Sequence, residues 1–219
     1  MARIYYPFNE KPFGYSSNYD YQKGLKFGKI EIQHILIALL VLTIAFAFAL
    51  APNPPLAFIS SAISNIPLAF LAIVTAFFCH ELAHKYMGQK YGYKAEFRMF
   101  PMGLLLALFL GVFTGFVFAA PGAVQIFGRP TYDETGKISV AGPLSNMIIA
   151  IFFTSVWFFS SGLIAEISFF IAYINAFLAI FNLIPFGMLD GWKIFSWKKE
   201  VWGVLLVICI GLIAFLSIS

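Results

Sequence analysis

The sequence predicts an all-α polytopic membrane protein of five to six transmembrane helices, on three observations. Hydrophobic residues make up 61% of the 219 and charged residues 11%, with a mean hydropathy of +0.87, which leaves too little polar surface to face water. Five stretches, at about 32–51, 66–87, 138–160, 166–185 and 201–219, reach the roughly 20 apolar residues that a helix needs to cross a bilayer. The 27 phenylalanines and the alanine-rich runs suit helices packed among lipid tails.

Taken in order, residues 1–31 form a tail rich in Tyr, Gly and Lys, a composition suited to the membrane–water interface and expected on the cytoplasmic side. The span that follows is longer than the roughly 7–15 residue apolar core of a secretory signal, so it is expected to stay uncleaved. A single transmembrane domain then fills 32–219, with no repeat, linker or soluble domain to divide it. The second span is expected to begin near Pro67, after a loop over 52–65. Cys79 and Cys209 lie in apolar runs without C-x-x-C spacing and read as packing residues.

A sixth apolar stretch, "MFPMGLLLALFLGVFTGFVFAAPGAV" at 99–124, is punctuated by Pro101, Gly103, Gly111, Gly115, Pro121 and Gly122. It can cross the membrane, or dip in and return to the side it left. Lys and Arg fall in four groups: in the tail, at 85–98, at Arg129 and Lys137, and at 193–199. If the stretch returns, all four groups lie on one side, and the loops at 52–65 and 160–166 on the other side carry none. The positive-inside rule therefore favours re-entry, with the basic side cytoplasmic in a multi-pass protein of the cell membrane. A net charge of +4 needs no more than this orientation beside anionic lipid, and nothing points to nucleic acid.

Within this apolar chain, "FFCHELAHKYMG" (77–88) places two histidines and a glutamate inside the second span. Ionisable groups at that depth are costly and face a cavity or one another, so a functional site is the default expectation. His80 and His84 are four residues apart, hence on one helical face, and both imidazoles can reach one metal ion. Glu81 projects beside them, where it can hold a water molecule. His80-Glu81-Leu82-Ala83-His84 is the H-E-x-x-H pattern of zinc metalloproteases.

A catalytic zinc needs a third protein ligand and an open fourth position. "FNLIPFGMLDGWK" ends the fourth span, and under re-entry it emerges on the same side as the histidines. Pro185 and Gly187 should break the helix there and free Asp190 to turn back toward them, making it the expected third ligand. His34 is a rival; its ligation would close the site and make the zinc structural.

Three ordered motifs carry a resemblance to a known family. "HELAH" (80–84), "AGPLSN" (141–146) and "NLIPFGMLDG" (182–191) together resemble the H-E-x-x-H, A-G-P-x-x-N and N-x-x-P-x(4)-D-G segments of the site-2 proteases, intramembrane zinc metalloproteases of peptidase family M50. The resemblance implies a three-helix catalytic core over about 66–195, with "AGPLSN" opening its next helix. It implies one zinc per chain held by His80, His84 and Asp190, with Glu81 as the catalytic carboxylate, and transmembrane protein substrates already trimmed on the other side. No PDZ-like insertion or CBS-type domain is recognisable, which points to a minimal prokaryotic-type member. The stretch at 99–120 is longer than the short strand-forming connection expected between the first two core helices.

The expected chemistry is peptide hydrolysis, with Glu81 accepting the proton of the attacking water. Asn182, before the break at Pro185, and Asn146, at the entry to the third span, can donate to the oxyanion or simply join helices as buried amides. Strand-like segments around "YKAEFRMF" and "PGAVQIFG" can offer an edge to an extended substrate, or form a hairpin that plugs the bundle. Two other classes fit the composition: a metal or ion carrier, and an inactive zinc-containing adaptor in the bilayer. The intact Glu81 and the lack of a repeat or a ladder of polar residues speak against a carrier.

Overall fold

The computed structural model describes residues 25–51, 55–117 and 121–218. Most of the tail, at 1–24, lies outside the described residues. Helix α1 (Lys29–Ala49) begins where the Glu31 carboxylate reaches back to the Gly28 N–H at 3.2 Å. Helix α2 (Pro55–Ile73) passes through a π-helical turn at Val74–Phe78 into α3 (Cys79–Lys90). From Phe58 to Lys90 these form one apolar helix of 33 residues.

That helix corrects the expected loop over 52–65, which is helical from Pro55 onward, and Pro67 lies inside α2. Pro55 supplies the fixed φ that a first helical residue wants. Pro67 removes one backbone hydrogen bond, but in lipid unwinding would strand many more, so the helix continues through it.

The two ends of the stretch at 99–124 pair with each other. Strand β1 (Lys94–Met99) pairs antiparallel with β2 (Gly122–Phe127), Met99 opposite Gly122 and Lys94 opposite Phe127. Between them lies α4 (Pro101–Thr114), with Pro101 at its first position and Gly115 ending it at φ 69°, a left-handed conformation that suits glycine. Fourteen residues of helix span about 21 Å, short of a hydrocarbon core of about 30 Å, and the residues that flank the stretch, Met99 and Gly122, pair on one rung of the hairpin.

Helix α5 (Tyr132–Phe159) opens on a reciprocal cap. The Thr131 side chain accepts from the Glu134 N–H at 3.2 Å, and Glu134 accepts from the Thr131 N–H at 2.7 Å. "AGPLSN" therefore lies in the interior of α5, and Asn146 with it, where the sequence placed the motif at the helix entry. Ser160 and Ser161 join α5 to the antiparallel α6 (Gly162–Leu183). A turn through Gly187, at φ 62°, leads to the short α7 (Asp190–Trp197) and then α8 (Lys199–Ile218).

Five helices, Lys29–Ala49, Phe58–Lys90, Tyr132–Phe159, Gly162–Leu183 and Lys199–Ile218, are long and apolar enough to cross a membrane. The protein is an all-α polytopic membrane protein carrying one small hairpin. One apolar cluster joins α1, the π turn, β1 and α4 through Leu42, Ile73, Phe77, Phe97 and Leu104. Another joins α5 to α8 through Met147, Leu183, Ile194 and Leu205.

One end of this bundle is polar. Lys85 of α3 meets Glu31 of α1, Tyr93 donates to Glu134 of α5 at 2.8 Å, and Trp197 of α7 donates to Asp133 of α5 at 3.1 Å.

Candidate metal centre

Helix α3 turns His80 and His84 toward α5. The turn before it is π-helical, a local widening that recurs at functional sites. Within that turn the Ala76 carbonyl accepts from Asn146 Nδ2 at 2.8 Å, and Asn146 Oδ1 faces His80 Nδ1 at 2.6 Å. His84 Nδ1 faces the Ile138 carbonyl at 2.8 Å.

These partners fix the tautomers. A carbonyl can only accept, so His84 carries its proton on Nδ1. The Asn146 amide nitrogen is spent on Ala76, so its oxygen faces His80, and His80 is protonated on Nδ1 as well. In the neutral imidazoles both Nε2 atoms are then bare lone pairs.

Those lone pairs converge. The two Nε2 atoms are 3.0 Å apart, and Asp190 Oδ2 lies 2.9 Å from that of His84 and 3.2 Å from that of His80. Three electron-rich atoms with no proton among them call for a cation. The edges are close to the roughly 3.3 Å expected between ligands of a tetrahedral zinc bonded at about 2.0–2.1 Å. Both histidines are buried and Asp190 is 8% exposed. Among the described residues, His80, His84 and Asp190 form the group of side chains placed to hold a metal ion.

The chain folds to make this possible. Asp190 is the first residue of α7, brought back beneath the histidines by the turn at Gly187. Lys193 Nζ lies 3.5 Å from its other oxygen, Oδ1. Gly142 of α5 lies against the imidazoles: a Cβ there would come within 2.5 Å of His80 Nε2 and overlap His84 Nε2. The glycine of "AGPLSN" is thus the backbone wall against which both rings rest.

Glu81, half-buried, follows His80 on α3, and its Oε2 accepts the Val124 N–H of β2 at 3.0 Å. Its Oε1 enters no hydrogen bond among the described residues. Asn146 is fully buried, and its Nδ2 donates to Asn175 Oδ1 at 3.0 Å as well as to Ala76. Both amide hydrogens are engaged, so Asn146 orients His80 and joins α5 to α6. Asn182 donates within its own helix, to the Leu178 carbonyl at 3.0 Å. His34 is not part of the metal group; its Nδ1 accepts the Met99 N–H at 3.4 Å.

Sequence reasoning missed Asn175, which donates to the Ile171 carbonyl at 2.9 Å and to Thr75 at 3.2 Å, extending the network behind His80. A buried asparagine in an apolar helix was the available signal. The π turn and the role of Val124 left no signal in the sequence.

No family model and no solved structure matches the chain. It is 37% identical over 182 residues, 82% of this chain and 90% of the relative, to a protein of Methanocaldococcus jannaschii named "Putative zinc metalloprotease MJ0611". It is 32% identical over 155 residues, 60% of this chain and 69% of the relative, to "Putative zinc metalloprotease YwhC" of Bacillus subtilis. With its histidines and aspartate converging on one point and relatives of this kind, the chain belongs to the zinc metalloprotease family that they represent.

Proposed function

We propose that this protein is an intramembrane zinc metalloprotease of the site-2 protease type, hydrolysing peptide bonds in or near the transmembrane segments of other membrane proteins. The observation that carries this reading is a buried set of converging lone pairs, with His80 and His84 on a helix apolar enough to cross the bilayer and Asp190 brought to them from α7. His80, His84 and Asp190 would hold one zinc ion. Bound there, zinc would supply Lewis-acid polarisation of the scissile carbonyl and of the attacking water.

The chain's own groups divide the remaining work. Glu81 is the general base: Val124 holds Oε2, which leaves Oε1 to accept a proton from water and return it to the leaving amine. Asn146 and the Ile138 carbonyl keep the imidazole lone pairs aimed inward. Asn182 would have to turn from Leu178 to stabilise an oxyanion.

A substrate helix must unwind first, because its carbonyls are held in i to i−4 hydrogen bonds. The hairpin supports strand addition by the extended segment. At about 1.5 Å per residue, His80 lies roughly 15 Å along the helix from Lys90 at the basic end, which supports water entry from a cytoplasmic face.

The test is cleavage of a tagged single-span membrane protein by purified protein in detergent, with the cut mapped by mass spectrometry. A zinc-dependent cut inside the span is the expected result. Cuts confined to soluble loops would remove the intramembrane part of the reading, and no cleavage of a diverse panel by zinc-loaded protein would remove the protease.

A further inference from the structure

Beside the metal centre lies a buried ion pair that peptide hydrolysis does not use. Lys85, the residue after His84, is 1% exposed, and its partner Glu31 on α1 is fully buried. Lys85 Nζ donates to Glu31 Oε1 at 2.8 Å, to Glu31 Oε2 at 2.9 Å and to the Ala95 carbonyl of β1 at 2.8 Å. Glu31 also accepts the Phe97 N–H of β1 at 2.9 Å. The ring of Phe27 closes the outer side, 4.6 Å from the ammonium. Desolvation makes such a pair a poor source of net stability compared with apolar side chains of the same size. Its complete set of hydrogen bonds makes it a good device for fixing position.

What it fixes is one edge of the hairpin. On β1 the groups at 95, 97 and 99 point away from β2, and each is taken: the Ala95 carbonyl by Lys85, the Phe97 N–H by Glu31 and the Met99 N–H by His34. Phe97 stands directly opposite Val124 in the ladder. The Val124 N–H points away from β1 in turn and is held by Glu81. A single rung therefore runs from Glu31 of the outer helix, through two backbone amides, to the carboxylate beside the metal centre.

We propose that Glu31 and Lys85 are positioning residues, a clamp by which α1 holds the hairpin where Val124 orients Glu81. The role assigned to the clamp rests on reading Glu81 as the general base. It makes α1, which supplies no metal ligand, part of the working site.

The test uses full-length protein in detergent. The double variant Glu31→Met/Lys85→Met replaces the pair by apolar chains of similar length, leaves no lone charge, and removes the partners of Phe97 and Ala95. The clamp requires zinc content close to wild type in a protein that still unfolds cooperatively, KM within about twofold, and kcat reduced about tenfold or more at a temperature where the variant is folded. A purely structural pair requires kcat to return with stability, so a stable double variant with wild-type kcat overturns the proposal.

Amide hydrogen exchange decides the matter without relying on that variant. In the wild-type protein the Phe97 and Val124 amides should be among the slowest of the hairpin, and rapid exchange at either overturns the clamp. In Glu31→Gln both should speed up together, and acceleration at Phe97 alone overturns the coupling. If the zinc-loaded wild type cuts nothing, the protease reading fails, and the exchange data still decide whether the clamp exists.

Discussion

Glu81 and Lys85, one helical turn apart on α3, hold opposite edges of the same hairpin: Glu81 accepts from the Val124 N–H of β2, and Lys85 donates to the Ala95 carbonyl of β1. His80 and His84, each one residue earlier, face α5 instead. The offset of about 100° between neighbouring residues gives α3 two working faces, one for the metal ligands and one for the hairpin. Gly88 continues the second face, because a Cβ there would meet Ile126 of β2 at 2.6 Å. A displacement of the hairpin would therefore move the carboxylate while leaving the imidazoles in place.

Glu81→Gln separates these faces chemically. Glutamine keeps the size of the side chain and an oxygen for the Val124 N–H, but it cannot take a proton. Zinc content should stay at the wild-type level while kcat falls by about 10²–10⁴-fold. Zinc assay beside single-turnover cleavage checks this, and an active variant would remove Glu81 from the mechanism.

Asn146→Ala acts on the metal rather than on the base. It removes the acceptor of His80 Nδ1 and strips partners from Ala76 and Asn175. Losing the group that orients a ligand typically weakens metal binding by about 10–100-fold. Buried amide groups left unpaired should also lower stability by about 1–3 kcal/mol. Competition against a zinc chelator and thermal unfolding measure the two effects, and unchanged zinc affinity would show that His80 needs no such support.

The buried pair and a surface pair should respond differently to loss of the lysine. Lys85→Met leaves Glu31 charged and unpaired in the interior, which should cost about 3–5 kcal/mol. Lys137 meets Asp133 at 2.6 Å, but both are about half exposed, so water and salt replace the contact. Lys137→Met should leave the unfolding transition where it is. Equal losses would mean that Lys85 is solvated in the folded protein.

Much of the site is legible in the sequence because metal chemistry restricts which residues can serve. Two histidines four apart need only one helix, and Pro185 with Gly187 announces the turn that returns Asp190. The pairing of β1 with β2 is legible in the strand-like segments that flank the Gly- and Pro-punctuated stretch at 99–124. Other features depend on tertiary context. Pro67 reads as a helix start only if a broken hydrogen bond ends a helix, and in lipid it does not. Lys85 reads as one more basic residue near a membrane boundary until Glu31, 54 positions away, is folded against it. The Thr131 and Glu134 cap was present in the sequence as a T-x-x-E pattern, and it places the start of α5 well before the apolar run.

Two glycines of α5 test whether backbone proximity matters at the metal or only in packing. At Gly142 an added methyl would occupy the space of the imidazole Nε2 atoms themselves, so either ring must rotate away from the other ligands. At Gly136 it would meet the Trp197 indole, 2.7 Å from Cε3, at the far end of the short helix that begins with Asp190. Alanine is otherwise the better helix residue by about 1 kcal/mol, so neither change should prevent α5 from forming. Gly142→Ala should abolish stoichiometric zinc binding in a folded protein. Gly136→Ala should shift α7 and weaken zinc binding by degrees, because Asp190 can follow its helix while the two histidines stay in register. Zinc stoichiometry and affinity measured on both proteins distinguish the cases. Zinc bound at wild-type affinity by Gly142→Ala would mean that α5 does not form the wall of the metal centre.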